Sequence, residues 1–199
     1  MQSKHAIALL SFVVLSLSAH STFGAMDVPS GHYVLEKNHG YISFSYSHLG
    51  FSTPHIAFTD FEVDLQLDVE QPQNSKLNVT IDAKSVTSQV AEFDEHLAGE
   101  RFFDSEKFPT ITFVSTSIEL GDAGTATITG DLTIKGQSQQ VVLNAKLNKA
   151  GNHPMLKKPV AGFNAEAKVS RSAWGMGYAV PMVSDEVTLH ISVELQYMP

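Results

Sequence analysis

The chain contains no cysteine, which excludes a disulfide framework, a thiolate metal site and a cysteine nucleophile. Its fold is therefore held by its core. Positive charge is scarce: 13 Lys and Arg stand against 21 Asp and Glu, a net charge of −8. Nucleic-acid binding draws mainly on Lys and Arg neutralising phosphates, and anionic lipid surfaces attract basic segments for the same reason. A nucleic-acid partner is excluded on that ground. A long hydrophobic run is missing too, since the one unbroken stretch of apolar and small residues, 6–17, is too short to span a bilayer. No Gly-x-Ser-x-Gly motif occurs, and none of the 9 His forms a His-x-x-x-His pair or another tight ligand-spaced cluster. The chain is expected to have no catalytic residues and no metal site.

The first residues read as an address. Lys4 supplies a positive start, 6–17 is apolar, and Ser18, Ala19, His20 and Ser21 follow. This pattern predicts a secretory signal peptide over 1–25, cut after residue 21 to 25. Cleavage removes Lys4 and no acid, so the exported chain, a single domain over 26–199, is more acidic still.

Beyond the leader the period is two. Ile42, Phe44, Tyr46 and His48 alternate with serines, and Phe61, Val63, Leu65 and Leu67 alternate with Glu62, Asp64, Gln66 and Asp68. Leu77, Val79 and Ile81 follow the same rule, as do Val187, Leu189, Ile191, Val193 and Leu195. Such segments are strands with one dry and one wet face. Weaker alternation marks 109–120, 125–134, 140–147 and 161–169, with turn residues at 70–75, 121–124 and 135–137. One segment, 89–101, has helical spacing through Val90, Phe93 and Leu97, with Gly99 as a stop.

Eight or nine such strands with no covering helices must bury their apolar faces against one another. A closed antiparallel barrel or a sandwich does so, and the long strands favour the barrel. The acidic set Glu62, Asp64, Asp68, Asp82 and Glu194 faces outward, the reverse of an outer-membrane barrel, whose lipid-facing side is apolar. Stable membrane insertion is not expected.

Phe44, Tyr46, Phe58, Phe61, Phe113 and Phe163 give the inner face its bulk, whereas Ala126, Ala145, Ala165 and Ala167 leave room. Two readings follow from this pattern: a dry tunnel that would take an alkyl or prenyl chain, or an ordinary packed core with Ala opposite Phe.

Six blocks resemble the YceI-like, polyisoprenoid-binding family. They begin with His39-Gly40-Tyr41-Ile42-Ser43-Phe44, His48-Leu49-Gly50-Phe51 and Phe58-Thr59-Asp60-Phe61. Asp94-Glu95-His96-Leu97 follows, with Phe102-Phe103-Asp104 and Lys107-Phe108-Pro109, then Gly130-Asp131-Leu132-Thr133. The order ends with Ala161-Gly162-Phe163, then Arg171-Ser172 and Trp174-Gly175-Met176, then Ser184-Asp185-Glu186-Val187. The resemblance implies an all-β, eight-stranded antiparallel lipocalin-like barrel with one short helix near a barrel mouth. It further implies a periplasmic binding or carrier protein that holds a long isoprenoid inside, and no enzymatic residue set. The family often has Arg before the Asp-x-His-Leu, where Phe93 stands here.

The candidate ligand-binding residues are the six inward aromatics together with His48, His96, Asp94, Arg171 and Trp174. His48 and His96 can donate hydrogen bonds to a head group or to buried carbonyls. Asp94 and Asp104, with Arg101 between them, are expected to form a salt-bridged cap. Arg171 can lie over the Trp174 ring or meet an anionic head group. His190 is expected to face solvent. No cofactor beyond a bound lipid is needed, and pairing into a homodimer is compatible with the pattern. The competing readings are a ligand-free extracytoplasmic stress or interaction module and, further off, an isoprenoid-modifying enzyme.

Overall fold

Period-two segments joined by tight turns have one way to leave no open edge, and the chain takes it. The computed structural model describes residues 26–199, so the signal-peptide expectation lies outside the described residues. The strands are β1 Gly31–His48, β2 His55–Phe58, β3 Phe61–Leu67, β4 Lys76–Asp82, β5 Val86–Thr87, β6 Thr110–Leu120, β7 Thr125–Ile134, β8 Gln137–Asn152, β9 Pro159–Ser170 and β10 Val183–Met198. A single α-helix, α1 Ala91–Ala98, lies between β5 and β6. It is shorter than the 89–101 that its spacing suggests.

Eight strands close antiparallel in the order β1-β3-β4-β6-β7-β8-β9-β10, and β10 pairs back onto β1 to complete the barrel. β2 and β5 form a flap outside this ring: β1 pairs with β3 through 31–34, then with β2 through 42–45. The switch coincides with an interruption in the β1–β10 ladder between Leu35 and Gly40. Such a bulge bends its strand and re-aims the side chains after it.

Alternation decides which face is dry. Along β3, Phe61, Val63, Leu65 and Leu67 are buried while Glu62 and Gln66 are exposed. The acids on the wet side have local work: Asp68 accepts from the backbone N–H groups of Glu70 and Gln71, and Asp82 from that of Lys84. Turn chemistry sets the register. Lys135 and Gly136 both have positive φ, 50° and 70°, the two-residue turn whose twist suits a hairpin, and Ile134 pairs with Gln137 directly across it.

Gly130 in β7 matters for a different reason. A Cβ there would sit 2.4 Å from the Phe113 ring and 2.6 Å from the Val114 carbonyl oxygen. The missing side chain lets Phe113 of β6 lie flat over the neighbouring strand and turn inward. Gly130→Ala is expected to cost about 1–3 kcal/mol through overpacking, because a backbone oxygen cannot rotate away. Urea unfolding reads it, and an unchanged midpoint would show that Phe113 is not held in this way.

Candidate functional site

Inside the barrel is a cavity of about 840 Å³, within the range of small-molecule pockets. Its lining is mostly Leu, Ile, Val, Phe and Ala, and runs from His48 and His96 at one end to Gly124 and Leu147 at the other. The packed-core reading does not describe this interior. The space has an identifiable origin, because Ala126 pairs with Ala145 and Ala145 with Ala165. Three small side chains therefore stand side by side on β7, β8 and β9, all lining the channel. Ala167 is buried but does not reach it.

Phe44, Tyr46, His48, Phe58, His96, Phe113, Phe163, Arg171 and Trp174 all line the channel. Two other candidates do not. Phe61 is buried, but it lines a smaller cleft with Leu35 and Gly40, in the fork where β1 leaves β3 for β2. Asp94 is a structural anchor. Its Oδ1 accepts from the Ser88 backbone N–H and hydroxyl, both at 2.5 Å, and its Oδ2 accepts from the Thr87 hydroxyl at 3.0 Å. It thus ties α1 to β5. The expected salt-bridged cap is not formed: Arg101 lies 4.7 Å from the centre of the Tyr178 ring, a cation–π contact.

The helix end of the channel is a mouth built from two devices. On one side α1 buries Leu97 and is followed by Phe103, whose ring meets Phe44 and Phe58 at 6.0 and 5.4 Å. His96 is exposed at the rim beside the rings of Phe102 and Tyr178, at 5.0 and 6.2 Å. On the other side a 3-10 turn, Arg171–Trp174, follows β9. Trp174 is 2% exposed, and its indole N–H donates to the Leu132 carbonyl at 3.2 Å. Around this mouth Leu49, Phe51, Val90, Tyr178 and Met182 are exposed.

Arg171 does not stack on Trp174. Its guanidinium donates to three backbone carbonyls, those of Ser184 at 2.9 Å, Val183 at 3.0 Å and Met176. Burial pulls its pKa down, opposed by Asp185 and Tyr46 nearby. Burial likewise raises the Tyr46 hydroxyl, opposed by Arg171. Asp185 accepts from the Ser172 hydroxyl and backbone N–H at 2.7 and 2.8 Å, which closes the loop from 171 to 185 on itself. His190 faces outward as expected, yet it is half-buried and bonded to Ser45 at 2.9 Å.

Asp94 and Asp185 are both held below the ordinary carboxylate range, each chiefly by a hydroxyl and a backbone N–H bonding its charged form. A depressed folded-state pKa gives stability that is present above the unfolded value, roughly 3.9, and lost as pH falls through the folded one. Both halves of the mouth should therefore loosen in acid. Thermal melts should be flat with pH above about 5 and decline below about 4, with a shallower decline in the Asp94→Asn/Asp185→Asn double variant. An identical decline in that variant would contradict this assignment.

Phe103, Phe102, Tyr178 and Met176 at the mouth were not singled out as site residues. The Phe102-Phe103-Asp104 block was a signal for the first two. Met176 stands in the Trp174-Gly175-Met176 block, whereas Tyr178 reaches the mouth through the 171–185 loop, which carries no periodicity.

The sequence profile of the YceI-like domain matches residues 33–195. Protein YceI of Escherichia coli O157:H7 is 37% identical over 193 residues, covering 96% of this chain and 97% of that one. Among solved structures, BcnA of Burkholderia cenocepacia superposes with a TM-score of 0.72 at 23% identity, over 82% of this chain and 99% of its own. A polyisoprenoid binding domain from Saccharophagus degradans, implicated in plant cell wall breakdown, superposes with a TM-score of 0.65 at 7% identity, over 85% of this chain and 100% of its own. Those two likenesses speak to the fold.

Proposed function

Since the chain belongs to the YceI-like domain family, we propose that it is a periplasmic carrier that holds one long isoprenoid lipid inside its barrel. The observation that carries this reading is the 840 Å³ channel with its apolar lining. A slender hydrocarbon chain gains roughly 0.8 kcal/mol for each CH₂ it withdraws from water, and a row of alanines leaves a lane for it. The polar groups that line the channel near the helix end include His48, His55, His96, Ser88, Tyr46, Tyr178 and Arg171. A head group resting there would keep its contact with solvent while the tail lay below. The Saccharophagus degradans domain, described as polyisoprenoid-binding, supports the choice of an isoprenoid over a straight acyl chain. The leader expected over 1–25 accords with the periplasm as the compartment. On this reading the protein binds and delivers its ligand without changing it.

Tail length is the test. Delipidated protein is titrated with prenyl phosphates that differ only in the number of isoprene units. Each unit removed, within the length the channel can hold, is expected to weaken binding by at least about tenfold. Quinones with the same tails should follow the same trend. Affinity that ignores tail length would contradict the reading.

A further inference from the structure

The seam that closes the barrel is interrupted on its outer side. β1 and β10 pair through Leu35 and Leu195 and resume at Gly40 and Val193. Glu36, Lys37, Asn38 and His39 therefore loop out opposite the single residue Glu194. Glu36 is buried at 6% exposure, and ligand atoms of Glu36, His39 and Glu194 lie within 4.8 Å of one another. His39 Nδ1 is 2.5 Å from Glu36 Oε2, and Asn38 donates to Glu36 Oε1 at 2.7 Å. His153, in the loop after β8, brings its Nε2 to 3.9 Å from Glu194 Oε2. That oxygen is enclosed and has no hydrogen-bond partner among the described residues.

Two carboxylates this close repel one another unless positive charge lies between them. Asn38 and the His39 ring both bond the buried Glu36 carboxyl. The enclosed Glu194 oxygen is still unsatisfied, a costly condition for a charged group.

We propose that Glu36, His39, Glu194 and His153 form a binding site for a divalent first-row transition cation, with zinc the best fit. Imidazole and carboxylate donors are those zinc takes, whereas calcium and magnesium call for six or more ligands that are nearly all oxygen. Zinc holds its ligands at about 2.0–2.2 Å, which spaces the donor atoms roughly 3–4 Å apart. Glu36, His39 and Glu194 already bring their donor atoms within 4.8 Å of one another, and His153 approaches Glu194 from the loop after β8. The ion joins β1, β10 and the loop after β8 across the closing seam. The site lies outside the channel, so it stands or falls apart from the lipid reading.

Untagged, chelator-treated protein is titrated calorimetrically with zinc chloride, and then with calcium chloride. The expected result is one zinc equivalent bound, a higher melting temperature with zinc, and no comparable response to calcium. His39→Ala, which also takes a partner from the buried Glu36, and Glu194→Gln should each weaken zinc binding by at least about tenfold. Glu194→Gln should leave the metal-free melting temperature undiminished, since it removes one of two facing charges. Absence of a one-equivalent zinc site, zinc affinity unchanged in either variant, or calcium bound as tightly as zinc would each overturn the proposal.

Discussion

Ala165→Phe is expected to abolish lipid retention while leaving the barrel folded. Ala165 lines the channel, with Ala145 of β8 on one side and Ile191 of β10 on the other. A phenyl ring projected from β9 at that point lies across the lane left by the three alanines. In a filled core the same change would cost about 1–3 kcal/mol, because neighbours must leave their rotamers to admit the ring. Here the ring enters existing space and buries its own apolar surface there, so the cost should be under about 1 kcal/mol. Two readouts separate the cases: lipid recovered by solvent extraction, and the urea midpoint. A large drop in stability with lipid still bound would mean that the lane at Ala165 is not where the chain lies.

Arg171→Ala is expected to be the most destabilising single change at the mouth, at about 3–5 kcal/mol. The guanidinium donates to the carbonyls of Met176, Val183 and Ser184, and it is 8% exposed. Truncation orphans all three acceptors, each costing roughly 1–3 kcal/mol where water cannot reach it. Residues 175–182 of the loop lie in no strand and lean on this contact. Arg171→Lys should recover little, because an ammonium on a flexible stem cannot reproduce a planar fork that meets three carbonyls at once. Denaturant unfolding measures both variants. A loss below about 1 kcal/mol for Arg171→Ala would show the loop to be held by other contacts.

The barrel itself was legible because its cause is local. Alternation at Phe61–Leu67 or Val187–Leu195 fixes which side of a strand is dry, and the turn at Lys135-Gly136 carries its own conformational signature. Register was not legible, and the site depends on it. Ala126, Ala145 and Ala165 could be placed on inner faces, but their standing in one row follows from where each hairpin turns. Phe61 shows the same limit: its parity is that of Val63, which lines the channel, yet β1 changes partner beside it and the ring fills the fork instead. β2 and β5 escaped notice because segments of 4 and 2 residues are too short to show a period. Asp94 and Arg171 were recognised as unusual residues, but their partners are backbone groups, which sequence patterns do not display. The cluster around Glu194 was invisible for a related reason, since its members come from three separate segments and share no spacing.

The central claim is that the interior is an open lane occupied by one apolar chain. Native mass spectrometry of the protein purified from its own cells without detergent tests this most directly. The account predicts a mass equal to the processed polypeptide plus one long isoprenoid lipid, and the bare polypeptide mass for Ala165→Phe prepared in parallel. A bare mass for the unaltered protein, with no lipid in its solvent extract, would contradict it.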